Sequence, residues 1–175
     1  MRRLVVTSTA VTVSLLSMFL IAIGRPGTAR ATDYGRVYQL HNVQTNDCLT
    51  DLGADDVGLT TRTCDDLDDR QMWAYTHDKF DSSGKDIGTF QNIITGQCLD
   101  DSAAYGLRAY QCDVHHDASR IFQQFKTTFH RPPNLLTFQN MATGSCVDDS
   151  SFGLRGYFCN GTYYQDWTEN TFYRP

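Results

Sequence analysis

The amino-acid sequence predicts an all-β fold, and three observations lead to this prediction. No window sustains a 3.6-residue apolar period over the length of a helix, so helices should be minor. Gly, Asp, Asn, Thr and Ser recur every few residues, which is typical of closely spaced turns. A cysteine-containing phrase occurs three times, which indicates a repeated structural unit.

The predicted strands are short alternating runs rich in Tyr, Phe, Val and Thr. Clear examples are residues 37–41, 107–112, 125–129 and 136–139. Each repeat offers about four such runs, so the domain should contain about twelve strands.

The first 31 residues have the features of an export signal. Arg2 and Arg3 provide a positive start, residues 5–23 are largely apolar, and Ala29-Arg30-Ala31 has the small-x-small form of a cleavage site. The mature chain would then begin at Thr32 and be secreted.

A retained membrane anchor is the alternative reading of this segment. The uninterrupted apolar core, Leu15 to Ile23, is far shorter than the roughly 20 residues that span a bilayer. Cleavage is therefore favoured, and residues 32–175 form one domain by size.

The charge of the mature chain bears on its partners. Removing the four arginines of residues 1–31 leaves 11 basic against 20 acidic residues, a net charge of −9 with histidine neutral. Nucleic acids and anionic membranes are bound through an excess of Lys and Arg, so neither is expected as a partner. An uncharged or cationic partner fits this balance better.

Three phrases recur in register and define the repeats, which run over about residues 36–87, 88–135 and 136–175. The opening phrases are Asn42-Val-Gln-Thr-Asn-Asp-Cys48, Asn92-Ile-Ile-Thr-Gly-Gln-Cys98 and Asn140-Met-Ala-Thr-Gly-Ser-Cys146. The middle phrases run from Gly58 to Cys64, Gly106 to Cys112 and Gly153 to Cys159. The closing phrases are Gln71-Met-Trp73, Gln123-Gln-Phe125 and Gln165-Asp-Trp167.

The six cysteines fall two to a repeat at matching places. An even number in an exported chain indicates disulfides, and the absence of any C-x-x-C argues against a zinc site. The economical pairing is local, and its bridges are Cys48–Cys64, Cys98–Cys112 and Cys146–Cys159.

Three units of four strands resemble the β-trefoil, and the Gln-x-Trp closing phrase resembles the ricin B-type lectin family. The resemblance covers nearly all of residues 32–175, with Phe125 in place of Trp in the middle unit and Thr50 where Asp is expected in the first. It implies a carbohydrate-binding protein of β-trefoil fold.

A register argument locates candidate sites. If the paired cysteines face each other across two antiparallel strands, Asp100 lies opposite Tyr110. The same count places Asp148 opposite Tyr157. A carboxylate can accept hydrogen bonds from neighbouring sugar hydroxyls while a ring covers an apolar sugar face.

The resemblance implies two carbohydrate sites at these pairs, supported by the glutamines of the closing phrases. The predicted site residues are Asp100, Tyr110, Gln123, Asp148, Tyr157 and Gln165. The glutamines could instead satisfy buried backbone groups, the tyrosines could be half-exposed strand residues and the aspartates could cap turns. The first unit, with Thr50 opposite Arg62, is expected to be silent.

Galactose specificity is not implied. Galactose-binding members of the family usually have Asn before the Gln of the closing phrase, where this chain has Arg70, Phe122 and Tyr164.

Other residues are assigned to structure. Trp73, Phe125 and Trp167 are predicted to pack in the core. The acidic run Asp65 to Asp69 is predicted to be a solvated loop, because it lacks the Gly and Glu spacing of an EF-hand calcium site. No metal or cofactor is expected.

Catalysis has little support in the sequence. There is no G-x-S-x-G motif, and the five histidines occupy non-equivalent places in the repeats. Adjacent carboxylates such as Asp100 and Asp101 point to opposite faces of a strand, so they cannot flank one glycosidic bond.

The predicted function is a secreted, non-catalytic and bivalent lectin, which acts alone or as the binding subunit of a separate enzyme or toxin. The alternative is a protein-binding β-trefoil, either a protease inhibitor or the receptor-binding subunit of a toxin. For an inhibitor, residues 129–134 are the candidate reactive loop.

Overall fold

A computed structural model describes residues 37–53, 58–113, 118–130 and 134–172. The predicted export signal lies outside these residues, and so do residues 131–133 of the candidate reactive loop. Within the described residues, no helix is both long enough and apolar enough to cross a membrane.

The described residues form twelve strands and three short 3₁₀ helices, which confirms the predicted all-β class. The strands are β1 (Val37–Asn42), β2 (Asp47–Asp51), β3 (Leu59–Thr63), β4 (Met72–Phe80), β5 (Asp86–Asn92), β6 (Gln97–Ser102), β7 (Gly106–Gln111), β8 (Phe125–His130), β9 (Leu135–Asn140), β10 (Ser145–Ser150), β11 (Gly153–Phe158) and β12 (Trp167–Phe172). The helices are Asp69–Gln71, Ala118–Gln123 and Tyr163–Gln165.

Six of the strands close a barrel. In the order β1, β4, β5, β8, β9 and β12, each strand pairs antiparallel with the next, and β12 pairs back with β1. The hairpins β2–β3, β6–β7 and β10–β11 extend from β1, β5 and β9. This arrangement is consistent with three copies of a four-strand unit.

The core is built from equivalent positions of the three units. Three sets of buried residues supply it: Leu40, Phe90 and Phe138; Leu49, Leu99 and Val147; Trp73, Phe125 and Trp167. The two tryptophans also satisfy their indole N–H groups, since Trp73 Nε1 donates to the Leu49 carbonyl at 3.0 Å and Trp167 Nε1 to the Val147 carbonyl at 3.1 Å. The core role predicted for the closing aromatics is confirmed.

The three predicted disulfides are confirmed. Each joins the first strand of a hairpin to the segment just after its second strand, and the bridges are Cys48–Cys64, Cys98–Cys112 and Cys146–Cys159. Because sequence separations are only 13 to 16 residues, each bridge lies within one unit. By the chain-entropy estimate each contributes about 3 kcal/mol.

The asparagine of each opening phrase joins its unit to a neighbouring unit. Asn92 Oδ1 accepts hydrogen bonds from the backbone N–H groups of Ile94 and Thr95, which shapes the turn after β5. Its Nδ2 donates to the Arg70 carbonyl of the first unit at 2.7 Å. Asn42 makes the equivalent bonds, accepting from the N–H groups of Gln44 and Thr45 and donating to the Tyr164 carbonyl. Asn140 accepts from the N–H groups of Ala142 and Thr143 and donates to the Phe122 carbonyl.

A cyclic set of hydrogen bonds, which we call the Thr–Asp ring, links all three units. In each unit, the last aspartate of the first hairpin strand accepts a hydrogen bond from a threonine hydroxyl of another unit. That threonine lies three residues after the asparagine of its opening phrase. The pairs are Thr95 to Asp51, Thr143 to Asp101 at 2.5 Å, and Thr45 to Asp149 at 2.5 Å. The first unit thus accepts from the second, the second from the third, and the third from the first.

Burial in this ring raises the pKa of Asp101 and Asp149 above the ordinary value of 3.8, although their threonine partners act against the rise. Around Asp101 the chain is close-packed, because a Cβ on Gly156 would lie 2.7 Å from its carboxylate. A carboxyl group with a raised pKa in the folded state binds more protons there than in the unfolded chain. Its contribution to the free energy of unfolding therefore grows as pH falls from neutral towards 3.8.

Asp101→Asn should remove this contribution. We expect the variant to gain less stability than the parent when pH falls from 7 to about 4, as measured by urea unfolding at each pH. Asp81→Asn is a control of opposite sign, because hydrogen bonds from Ser83 and Lys85 lower the Asp81 pKa. Relative to the parent, Asp81→Asn should therefore become more stable on acidification, whereas Asp101→Asn becomes less stable. Identical pH profiles for Asp101→Asn and the parent would contradict the assignment.

Candidate functional site

The register of the hairpins corrects the sequence prediction. Asp100 lies opposite Arg108 rather than Tyr110, and Cys98 lies opposite Tyr110. The cysteines do not face each other, because Cys112 lies just beyond the last residue of β7 and its bridge runs diagonally. The shift is two residues, so the tyrosine stays on the predicted face of the hairpin.

The third unit requires the same correction. Asp148 lies opposite Arg155, while Tyr157 lies opposite Cys146. In the first unit, Thr50 lies opposite Thr60 rather than Arg62. The predicted pairs are therefore diagonal neighbours, with an arginine inserted between acid and ring in the second and third units.

In the second unit, Asp100 and Arg108 form an ion pair at the base of a pocket. Arg108 Nε donates to Asp100 Oδ1 at 2.9 Å. The Asp100 side chain is only 6% exposed, whereas the arginine is 28% exposed. The acid therefore lies beneath the guanidinium, and the guanidinium is the charged group that faces the solvent.

Two tyrosine rings hold this guanidinium in place. Arg108 Cζ lies 4.0 Å from the centroid of the Tyr110 ring and 4.5 Å from that of Tyr105. Cation–π contacts with both rings restrict the arginine to one orientation. Both rings are themselves exposed, Tyr110 by 51% and Tyr105 by 72%, so they present free aromatic surface.

These residues line a cavity of about 580 Å³ together with Phe122 and Gln123. Its volume is within the range of ligand sites, and most of the surface that lines it is apolar. Three predicted residues of this unit, Asp100, Tyr110 and Gln123, thus come together in one pocket.

The third unit repeats the arrangement with different rings. Arg155 Nε donates to Asp148 Oδ1 at 3.1 Å, and the acid is 3% and the arginine 34% exposed. Arg155 Cζ lies 4.1 Å from the Tyr157 ring centroid and 4.9 Å from that of Phe152. The sequence aligns Phe152 with Tyr105, since each precedes the glycine that starts the second hairpin strand.

Gln123 and Gln165 of the closing phrases contact both backbone groups and the site carboxylates. Gln123 Nε2 donates to the Gln111 carbonyl at 2.9 Å and lies 3.4 Å from Asp100 Oδ2, and its Oε1 accepts from the Asp113 N–H. Gln165 makes the equivalent contacts, 3.3 Å from Asp148 Oδ2. Each glutamine therefore fixes the end of a hairpin and also touches the site carboxylate.

The first unit has neither acid nor ring at these positions. Thr50 is buried and its hydroxyl donates to the Cys48 carbonyl at 2.9 Å. Thr60 occupies the place of the site arginine, and Arg62 that of the site tyrosine. The prediction that this unit is silent rests on these differences.

The acidic run from Asp65 to Asp69 shapes a local turn. Asp65 Oδ1 accepts from the Leu67 N–H, and Asp68 caps the first 3₁₀ helix by accepting from the Arg70 N–H. Among the described residues, no three His, Cys, Asp or Glu side chains are grouped so that they could hold a metal ion.

The sequence did not predict a site role for Arg108 and Arg155, nor for the second ring at each arginine, Tyr105 and Phe152. The sequence does contain a signal for the arginines, because Leu-Arg-Ala-Tyr110 and Leu-Arg-Gly-Tyr157 place Arg two residues before Tyr in both units. Residues two apart on a strand share a face, so the arginine belongs to the same surface as the tyrosine.

Comparison with solved structures identifies the fold. Crystal structures that match include the designed threefold-symmetric protein ThreeFoil, at 15% identity, TM-score 0.59 and coverage of 76% of this chain and 96% of that one. The BEL β-trefoil matches at 13% identity and TM-score 0.65, covering 83% and 99%. The Haemophilus ducreyi cytolethal distending toxin matches at 17% identity and TM-score 0.59, covering 78% and 83%.

Neither a protein-family profile nor a curated protein matches the sequence significantly. At these identities the structural likeness concerns the fold alone. The chain has the β-trefoil fold, and the fold predicted from the repeated phrases is confirmed.

Proposed function

We propose that this protein is a secreted, non-catalytic carbohydrate-binding protein with one site in the second unit and one in the third. The observation that carries the proposal is the duplicated arrangement of buried acid, guanidinium and exposed rings, at Asp100, Arg108 and Tyr110 and again at Asp148, Arg155 and Tyr157. Two units share it and the first unit lacks it.

The chemistry of the site suits a sugar. Exposed rings cover the C–H face of a pyranose, and the arginine donates hydrogen bonds to ring substituents. The resemblance of the three repeated units, two of which close with Gln-x-Trp, to the ricin B-type lectin family supports the same interpretation. The sugar would contact the aspartate mainly through the arginine, because both carboxylate oxygens already have protein partners.

Secretion and lack of catalysis are parts of the same proposal. Three disulfides in a small domain are compatible with an extracellular protein. Asp100 contacts Arg108 and Gln123, whereas the adjacent Asp101 contacts Thr143 of the third unit. These neighbouring carboxylates therefore serve separate networks and do not flank one bond.

Binding to immobilised polysaccharide and elution by free sugar test the proposal, and a glycan array of residues 32–175 would identify the preferred sugar. Tyr110→Ala combined with Tyr157→Ala should lower the affinity at each site about tenfold, because each loses its exposed ring. Phe80→Ala is the matched control, since Phe80 is 65% exposed on β4 and remote in sequence from both sites. Retention by a resin without elution by any sugar would contradict the proposal.

A protein-binding β-trefoil is the second candidate. The observation that favours it is exposed apolar surface outside the two pockets, including Leu67 at 88% and Phe158 at 76%. A protein partner bound by this surface would remain bound in excess sugar. Such a partner could be a separate enzyme or a toxin subunit. Leu67→Ser combined with Phe158→Ser should then abolish its binding while leaving polysaccharide binding unchanged.

A further inference from the structure

We infer that the two sites select acidic sugars and bind the sugar carboxylate through Arg108 and Arg155. This inference rests on the proposed carbohydrate-binding function and specifies its ligand class. It starts from the hydrogen-bonding groups that each pocket offers.

In the pocket of the second unit, the group that lies against the exposed rings is a donor, the Arg108 guanidinium. Both oxygens of Asp100 are engaged, Oδ1 by Arg108 and Oδ2 by Gln123. Arg108 uses Nε for that bond, and among the described residues its two terminal Nη groups have no hydrogen-bond partner. A guanidinium donates and cannot accept, so its free edge calls for a ligand group rich in acceptors.

A carboxylate fits this edge better than a hydroxyl does. The guanidinium is planar and presents parallel N–H bonds that match the two oxygens of a carboxylate. A hydroxyl oxygen can accept one of these bonds, but it cannot span both Nη groups as the two oxygens of a carboxylate can. A uronic acid presents both a carboxylate and a pyranose ring, and so matches the arginine and the exposed tyrosine together.

The arginine is also held in position before a ligand arrives. Asp100 fixes Nε, while the Tyr105 and Tyr110 rings contact the guanidinium at 4.5 and 4.0 Å. Binding therefore costs little side-chain entropy at this arginine, which favours affinity. The equivalent contacts around Arg155 involve Asp148, Phe152 and Tyr157.

The excess of acidic residues in the chain opposes a polyanion at long range. At an ionic strength of about 0.15 M such repulsion is screened beyond roughly 8 Å, so the groups in the pocket decide selectivity. Because the acid of each site is paired with its arginine, the pair repels an anion less than a lone carboxylate would.

The test compares acidic polysaccharides with neutral forms of the same backbone. Polygalacturonate, alginate and hyaluronan would each be assayed beside a carboxyl-reduced preparation, by titration of residues 32–175 at about 0.15 M NaCl. We expect at least one acidic polymer to bind about tenfold or more tightly than its reduced form, the equivalent of about 1.4 kcal/mol.

Variants assign the preference to the two arginines. The double variant Arg108→Gln with Arg155→Gln should abolish the preference for the acidic polymer. Glutamine is chosen because it can still donate a hydrogen bond to the buried acid. Arg108→Lys with Arg155→Lys keeps the charge but removes the planar edge, so the preference should fall strongly. Arg62→Gln with Arg70→Gln removes two exposed arginines of the first unit and should retain it. Thermal unfolding of each variant would establish that it is folded.

The outcomes separate the inference from the proposed function. Binding of reduced polymers as tightly as, or more tightly than, acidic ones would overturn the inference and leave carbohydrate binding intact. No binding of either form, together with an empty glycan array, would refute both. Dextran sulfate preferred over dextran, with no preference among the carboxylated pairs, would overturn the assignment of a planar carboxylate.

Discussion

Trp167→Ala should lower the free energy of unfolding by about 3 to 5 kcal/mol, the range for truncating a large buried aromatic. Trp167 is fully buried in the core and packs beside Phe138, with ring centroids 6.4 Å apart. Its indole N–H also bonds the Val147 carbonyl, which would lose that partner. Chemical denaturation with the disulfides intact would measure the loss.

Tyr157→Ala is the control for this prediction. Its ring is 43% exposed and contacts Arg155 rather than the core, so the midpoint of unfolding should hardly change. A large loss of stability in Tyr157→Ala, together with a small one in Trp167→Ala, would reverse the division between core and site.

Loss of one site should weaken binding to a polysaccharide far more than binding to a free sugar. A shallow site of this kind is expected to bind a monosaccharide near the millimolar end of the affinity scale. Two sites on one domain engage neighbouring parts of a polymer, and such bivalence raises avidity by about 10² to 10⁴. Tyr110→Ala or Tyr157→Ala alone weakens one site about tenfold and should therefore lower the apparent polymer affinity by about the same factor, while the other site is unchanged.

Two titrations check the prediction, one with polymer and one with short sugar. In each single variant the surviving site should keep its affinity for the short sugar, while apparent polymer affinity falls steeply. Arg62→Ala, at the equivalent position of the first unit, should change neither. Equal losses for polymer and short sugar would show that the sites act independently.

The repeated phrases were sufficient to predict the β-trefoil and its local disulfides, because spacing within a unit is visible in the sequence. They were insufficient for the hairpin register. Cys112 and Cys159 lie just beyond their strands, so a diagonal bridge shifts every cross-strand pair by two residues. Sequence spacing alone does not distinguish a direct from a diagonal bridge.

The site was predicted in part for a related reason. Asp100, Tyr110 and Gln123 line the same pocket, since a shift of two residues preserves the face of a strand. Arg108 was missed because the predicted register places it opposite Ser102 rather than opposite Asp100. Contacts between units, such as Thr143 to Asp101, depend on barrel closure and have no signature in local spacing.

Closure of the barrel also sets an order on folding during synthesis. Val37 pairs with Phe172 and Asn42 with Trp167, so one edge of β1 has no partner until β12 has emerged from the ribosome. Such distant pairings make folding slow, because a long loop must close before its contacts form. Each hairpin needs only its own unit, so oxidation can lock it while the barrel is still open. The nascent chain can therefore carry three finished hairpins on an unfinished barrel, and the last strand completes the domain.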